Sequence, residues 1–243
     1  MTAVYTHTIP VDFKRLYFSL RQKEGRIYSD EEVTKLPEIS ETQPHHDEWQ
    51  ARKHSYRQLL KYLINKDRPM KILEVGCGNG WLSAKLSTIP SVTVTGIDIN
   101  IEELEQAKRV FRNIQNLEFL FCNLQDEILK NREFDIIVFA ASIQYFSSLQ
   151  DTLKDVLDHL KPEGEIHIID SPFYKQNEVA AARQRSQIYY ESIGFPEMTD
   201  HYFHHCLDDL KSFKNKILYN PGSITRNLWK NKNPFYWICI QQQ

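Results

Sequence analysis

Hydrophobic positions change their period along the chain. Up to about residue 46, apolar and charged residues alternate without a sustained repeat, and Pro10, Pro37 and Pro44 interrupt them, so short helices or loops are predicted. From Asp47 onward, Trp49, Arg52, Tyr56, Leu59, Leu60 and Leu63 recur at three- and four-residue spacing, which predicts an amphipathic helix running to about Asn65 with a basic outer face. Beyond Pro69 short apolar runs follow one another at 71–75, 93–98, 117–122, 134–140 and 165–170, separated by stretches with helical period. Several runs are apolar at successive positions, as strands covered on both faces require. Asn100 followed by Glu103 reads as a capping box opening a helix with Leu104, Ala107 and Phe111 on one face. Ser148 with Asp151 opens another, carrying Leu149, Leu153, Val156 and Leu160, and Lys161-Pro162-Glu163-Gly164 closes it and turns into the fifth strand. A helix over 177–192 and two last strands at 216–219 and 235–240 complete the pattern.

Strands alternating with helices specify an α/β fold with a mostly parallel seven-stranded sheet, helices on both faces and an antiparallel C-terminal hairpin. Residues 1–65 form a helical cap or lid segment in this reading, and 66–243 the main domain.

Composition narrows the classes of function. A chain of 243 residues with 41% hydrophobic content can bury the core of one such domain. Its 30 basic and 32 acidic residues leave a formal charge of −2, so the total charge gives no reason to expect nucleic acid or an anionic membrane as partner. Asp12, Lys14 and Arg15 break the first twenty residues, against a secretory signal, and the longest apolar run, at 136–143, is too short for a membrane span. Cys77, Cys122, Cys206 and Cys239 are scattered without a paired spacing, so neither a disulfide framework nor a metal site is expected and a reducing, cytoplasmic compartment fits.

The chemistry concentrates after the first strand. In Ile72-Leu73-Glu74-Val75-Gly76-Cys77-Gly78-Asn79-Gly80-Trp81, glycines occupy every second position of a strand-to-helix loop, where the backbone turns sharply and a ligand can approach its amides. The dinucleotide fingerprint needs a small residue where Trp81 stands, which counts against a nicotinamide or flavin. Asp98 ends the second strand, where a carboxylate can accept hydrogen bonds from both hydroxyls of a ribose.

The pattern E-x-G-x-G-x-G resembles the first motif of the class I S-adenosylmethionine-dependent methyltransferases, and the segments that follow stand in that family's order over residues 70–172. The resemblance implies a Rossmann-like fold and S-adenosyl-L-methionine as cofactor, with S-adenosyl-L-homocysteine as product. It places Glu74, Gly76, Cys77, Gly78 and Gly80 around the methionine portion, Asp98 on the ribose, Ile99 beside the adenine, and Asn123 and Leu124 at the adenine edge. Asparagine stands at Asn123 where the family often has aspartate, but it can both donate and accept. Ala140 and Ala141 match small residues that face the cofactor.

The fourth-strand exit, Ala140-Ala141-Ser142-Ile143-Gln144-Tyr145, resembles the small-molecule, quinone-biosynthesis-like branch more than nucleobase enzymes. Asp170-Ser171-Pro172-Phe173-Tyr174 is superficially similar to the motif of amino-group methyltransferases, but it follows the fifth strand and has serine second, so it reads as a turn lining the pocket. Transfer of a methyl group from a sulfonium is an in-line displacement for which placement supplies most of the catalysis. Tyr145, His204 and His205 are the candidates for a catalytic base, and Tyr145, Asp170 and Tyr174 for the walls of the acceptor pocket. Two alternatives remain. The basic tail, with Lys211, Lys214, Lys216, Arg226, Lys230 and Lys232 among Phe213, Tyr219, Trp229 and Phe235, suits an RNA or tRNA substrate. A binding protein without turnover would also carry these motifs. The basic helix face at 52–61 suits the border of an anionic substrate.

Overall fold

The computed structural model describes residues 11–222 and 233–242. One seven-stranded sheet has the order β3-β2-β1-β4-β5-β7-β6. Its strands are β1 (Met70–Val75), β2 (Val92–Asp98), β3 (Leu117–Phe121), β4 (Phe134–Ala140), β5 (Leu160–Ile169), β6 (Lys214–Tyr219) and β7 (Trp237–Gln241). The first five run parallel, and β7 is antiparallel to both β5 and β6. Helices α1 (Val11–Lys23), α2 (Asp30–Lys35), α3 (His46–Ile64), α4 (Trp81–Leu86), α5 (Ile101–Val110), α6 (Leu149–Leu157) and α7 (Val179–Ile193) surround it. This is the Rossmann-like α/β fold with helices on both faces that the sequence specifies.

Burial explains why the strand signals were continuous. Every residue of β4 from Phe134 to Phe139 is buried, because a core lies on each side of the sheet. On one side Ile137 and Phe139 meet Leu149, Leu153 and Val156 of α6. On the other, Ile136 and Val138 join Leu59 and Leu63 of α3 and Leu82 and Leu86 of α4. The outermost strand, β6, exposes Lys214 and Lys216, which discourage pairing with another chain at that edge.

Two local expectations change. The Lys161-Pro162-Glu163-Gly164 turn lies inside β5 instead of ahead of it. Leu160 pairs with Phe134 and Glu165 with Ile136, so residues 161–164 buckle out of the ladder, with Glu163 at φ 63°. At α5, Asn100 caps as expected, accepting from the backbone N of Glu102 (3.1 Å) and Glu103 (3.3 Å). The reciprocal half of the box is absent because the N–H of Asn100 donates instead to Asp98 Oδ1 at 2.7 Å, leaving the Glu103 carboxyl to turn elsewhere.

Residues ahead of the sheet form longer elements than their weak periodicity suggested. α1 is a 13-residue helix whose Phe13 and Leu20 pack with Tyr190 and Met198 in a third, small apolar cluster away from the main cores. α2 is tied to α5 by Arg109, which donates to both oxygens of Asp30 at 2.7 and 2.8 Å. Trp49 of α3 donates to the Tyr28 hydroxyl (2.7 Å) and meets Trp81 edge-on at 5.4 Å, so these helices sit over the start of α4.

Opposite the strand ends that carry the glycine loop, Asp135 is buried and gathers three donors: Arg68 Nη1 (2.7 Å), Lys161 Nζ (2.8 Å) and the N–H of Lys71 (2.8 Å). Burial pushes its pKa up, but the bonds from Lys161, Lys71 and Arg68 prevail and hold it at about 2. A carboxylate depressed in the folded state stabilises above its unfolded pKa of about 4 and loses that contribution as pH falls toward 2. Asp135→Ala is expected to cost about 2 kcal/mol in urea unfolding at pH 7, with the gap to wild type closing on acidification below about pH 4.

Candidate active site

The loop between β1 and α4 is shaped by three glycines, each at positive φ: Gly76 at 74°, Gly78 at 51° and Gly80 at 75°. Their neighbours differ. A Cβ at Gly76 would stand 2.6 Å from Ser142 Cβ, and one at Gly80 would stand 2.5 Å from Phe119 Cζ and 2.9 Å from Ala107 Cβ. At Gly78 a Cβ would face only the Glu103 carboxyl, at 3.5 Å, across a cavity. Gly76 and Gly80 are therefore small to let the fold close, and Gly78 is the one whose missing side chain leaves the cavity side of the loop open.

Two hydrogen bonds to Ile97 O, from the N–H groups of Gly76 (2.9 Å) and Cys77 (3.0 Å), fasten this loop to the adjacent strand. The N–H of Gly78 then donates to Asp98 Oδ2 at 2.7 Å, while Asp98 Oδ1 takes the N–H of Asn100. Burial raises the Asp98 pKa, and the N–H donors of Asn100, Gly78 and Ile99 work against that rise. Glu74 is buried one turn below; desolvation raises it to about 8 even though the Ser83 hydroxyl donates to it, so it is a neutral acid linking β1 to α4 at pH 7.

The cavity over these strand ends measures about 710 Å³ and its wall includes Gly76, Cys77, Gly78, Asp98 and Ile99. Asn123, Leu124, Ala140, Ala141, Tyr145 and Asp170 also line it. Ligands in open parallel sheets gather at such carboxyl ends. Asn123 spends its Oδ1 on the N–H of Gln125 (2.8 Å) and leaves its amide for other partners. Ala141, at φ 54°, and Ser142, which donates to Val75 O at 2.6 Å, bend the chain out of β4 so that Tyr145 reaches the cavity.

Several residues singled out in the sequence lie elsewhere. Gly80 is outside the cavity wall, held against Phe119 and Ala107. Tyr174 is also outside it: its backbone exchanges hydrogen bonds with His205 O (3.0 Å) and the N–H of Leu207 (3.0 Å), and its ring packs on His204. His204 Nε2 meets the Ser186 hydroxyl at 2.9 Å, and His205 Nε2 meets Ile143 O at 3.1 Å. Burial lowers both histidine pKa values, so these are neutral packing residues and not part of the wall. The nearby histidine that does line the cavity is His201, whose ring lies 4.9 Å from Phe13.

The segment ahead of the sheet supplies what the motifs did not reveal. Phe13, Tyr17, Arg21, Arg26, Trp49 and Arg52 line the cavity. Tyr17 stands edge-on to Tyr145 at 5.3 Å, and Tyr145 edge-on to Tyr202 at 5.8 Å. Glu103, freed from its cap, is a second buried acid here: desolvation raises it, Arg21 and Arg52 lower it, Asp98 and Glu102 raise it, and the balance lies near 7. Asp170 is raised by burial to about 6 while accepting from Ser55 Oγ of α3 at 2.5 Å. Only Arg52 and Trp49 carried a sequence signal, through the amphipathic helix.

Away from the cavity, the antiparallel register places Cys239 opposite His167, and with Glu165 they bring three ligand-type atoms within 4.8 Å of one another. Sequence spacing could not show this. His167 Nδ1 accepts from Trp237 Nε1 (3.1 Å), His167 Nε2 faces Glu165 Oε2 (3.1 Å), and Lys66 Nζ reaches the same carboxylate at 2.9 Å. The group is a hydrogen-bonded core network. Of the basic tail, Lys211 pairs with Asp208 at 3.1 Å, whereas Arg226, Trp229, Lys230 and Lys232 lie outside the described residues. No helix among the described residues is long and apolar enough to cross a membrane.

Known proteins share both the sequence and the fold. A malonyl-[acyl-carrier protein] O-methyltransferase of Priestia megaterium is 32% identical over 110 residues, 45% of this chain and 39% of that protein. A demethylmenaquinone methyltransferase of Chlorobaculum tepidum is 31% identical over 130 residues, 54% of this chain and 51% of that protein. The chain thus matches about two fifths to a half of the length of these relatives. Among solved structures, the magnesium protoporphyrin IX methyltransferase of Synechocystis PCC 6803 with bound SAH superimposes with a TM-score of 0.62, covering 95% of this chain and 99% of that one at 10% identity. The family profile described as "Methyltransferase domain" matches residues 66–231. With the glycine loop, Asp98 and this match in agreement, the chain belongs to the methyltransferase-domain family.

Proposed function

We propose that the chain is an S-adenosylmethionine-dependent methyltransferase acting on a small-molecule acceptor, with the segment of residues 1–65 serving as the lid of the domain at 66–243. The observation that carries this reading is the opening of the Gly78 cradle and the Asp98 carboxylate into one cavity at the ends of neighbouring strands. S-adenosylmethionine supplies a methyl group made electrophilic by its sulfonium. Gly76, Cys77 and Gly78 leave backbone accessible for the amino-acid end of that molecule. Asp98 has spare lone pairs beyond its two backbone donors for ribose hydroxyls, since a carboxylate offers about four acceptor sites. Ile99, Asn123 and Leu124 form the wall for the adenine, and Ala140 and Ala141 keep the fourth strand end low beside it.

Catalysis in this site rests on placement and exclusion of water. Tyr145, Tyr17 and Tyr202 enclose the acceptor end, and burial raises the pKa of each, so their hydroxyls serve as hydrogen-bond donors and apolar walls. One relative is named for demethylmenaquinone and another for malonyl-[acyl-carrier protein], so the former supports a free small molecule and the latter a small acyl group borne on a carrier protein. The four buried free thiols support a reducing, cytoplasmic setting.

Isothermal titration of S-adenosylmethionine tests the reading directly, and an absence of binding removes it. Asp98→Ala is expected to weaken that binding by about 1.5–3 kcal/mol, the worth of a charge-assisted hydrogen bond; unchanged affinity would displace the ribose from Asp98. The raised Glu103 gives a second expectation. It faces Gly78 with Asp98, Arg21, Arg52 and Glu102 around it, and a cationic ligand there favours its ionised form. Binding then releases a proton, so affinity is expected to rise severalfold from about pH 6 to pH 8, and Glu103→Gln to flatten that profile.

A further inference from the structure

A row of alternating charges runs along the lid side of the cavity. Arg52 Nη2 donates to Glu48 Oε1 at 2.8 Å, and Arg26 Nη2 reaches Glu48 Oε2 at 2.6 Å. Arg26 Nε then lies 3.2 Å from Glu24 Oε2, and Arg21 Nη1 lies 3.7 Å from that same oxygen. The other oxygen of Glu24 accepts from the Tyr189 hydroxyl at 2.5 Å. Three guanidiniums thus alternate with two carboxylates, and the row ends in a surplus positive charge at Arg21. Arg52 is held over the Trp49 ring at 5.0 Å, and Arg26 has close carboxylates on both sides. Arg21 has the 3.7 Å contact as its one ion pair, with Glu103 acting on it from across the cavity, and the Nε atoms of both Arg21 and Arg26 are buried with no hydrogen-bond partner among the described residues. The Arg21 side chain is 15% exposed, lines the cavity and lies beside Tyr17.

A buried guanidinium with unmet donors costs stability unless something else completes it. The acid that acts on it across the cavity, Glu103, stands with Asp98 on the Gly78 side where the cationic cofactor sits in the proposed reading. At the acceptor end His201, packed on Phe13, is the one histidine of the cavity wall among the described residues, and the other candidate bases are held protonated, turned away or occupied. Tyr17, Tyr145 and Tyr202 are pushed upward by burial, His204 and His205 are neutral and turned away, and Asp170 is occupied by Ser55. An acceptor that arrives already ionised needs no base.

We propose that Arg21 receives the carboxylate of the acceptor, and that the chain methylates a carboxylic acid with an apolar body to its methyl ester. Phe13, Tyr17, Tyr145, Tyr190 and Tyr202 wall the space beside Arg21 and suit such a body. A carboxylate oxygen forms the new bond to the methyl carbon as the carbon–sulfur bond breaks, and the electron pair of that bond stays on sulfur. One anion and one sulfonium become a neutral ester and a thioether, with no proton transferred. This rests on the methyltransferase reading above.

Calorimetric titration of benzoate and octanoate into protein saturated with S-adenosylhomocysteine, with benzamide and octanamide as neutral counterparts, tests it without needing turnover. At least one acid is expected to bind at least about tenfold tighter than its amide, and Arg21→Gln to abolish the difference. The comparison on wild-type protein stands even if the variant fails to fold. Amides binding as well as acids, or no acid binding up to about 10 mM, would overturn the proposal, as would an Arg21→Gln defect confined to S-adenosylhomocysteine. Failure of S-adenosylhomocysteine itself to bind removes the methyltransferase reading beneath it. With labelled S-adenosylmethionine, the product of the tighter-binding acid is expected to release labelled methanol in alkali; label that resists alkali overturns ester formation.

Discussion

The N–H of Gly78 bonded to Asp98 at 2.7 Å is the contact on which the site depends. It joins the loop leaving β1 to the last residue of β2, and it exists only because the backbone at Gly78 is in the left-handed region, closed to most side chains. Without that turn the loop would continue into α4 with its amides facing the core. The same carboxylate takes the N–H of Asn100, which frees Asn100 to cap α5 with its side chain alone and releases Glu103 into the cavity. A local competition for one N–H thus decides which acid lines the site.

The fold was legible because its signals are local. Strands buried on both faces read as unbroken apolar runs, and the five parallel runs fall close to where they are observed. The glycine loop and Asp98 stood out as a turn leaving one strand and an acid ending the next, and the structure brings Gly76, Gly78 and Asp98 to one cavity. The start of β5 was not, because the outward buckle at 161–164 becomes visible only through the partners that Leu160 and Glu165 find on β4. Likewise the reason for Gly80 lies in Phe119, a residue of another strand.

The lid side of the cavity was largely illegible for the same cause. Arg21, Glu24 and Arg26 come from a stretch whose apolar residues face α7 and the turn near Met198 instead of the sheet, so its period is weak. His204 and His205 drew attention by their chemistry, yet their rings serve Ser186 and Ile143. Tyr174 was placed by its distance from a strand end, but its backbone is captured by the segment around His205, which turns the ring away. Residue type alone proposes a role, and the third dimension assigns it.

The strand order β5-β7-β6 carries a consequence for assembly. Among the described residues β6 neighbours only β7 in the sheet, and during synthesis it emerges before the strand that must separate it from β5. A bare edge at β5, with Ile166 and Ile168 waiting for Ile240 and Ile238, persists until that last ribbon slots between them. The order of translation is therefore the reverse of the order outward from β5, so β6 can join the sheet only with β7 already beside it.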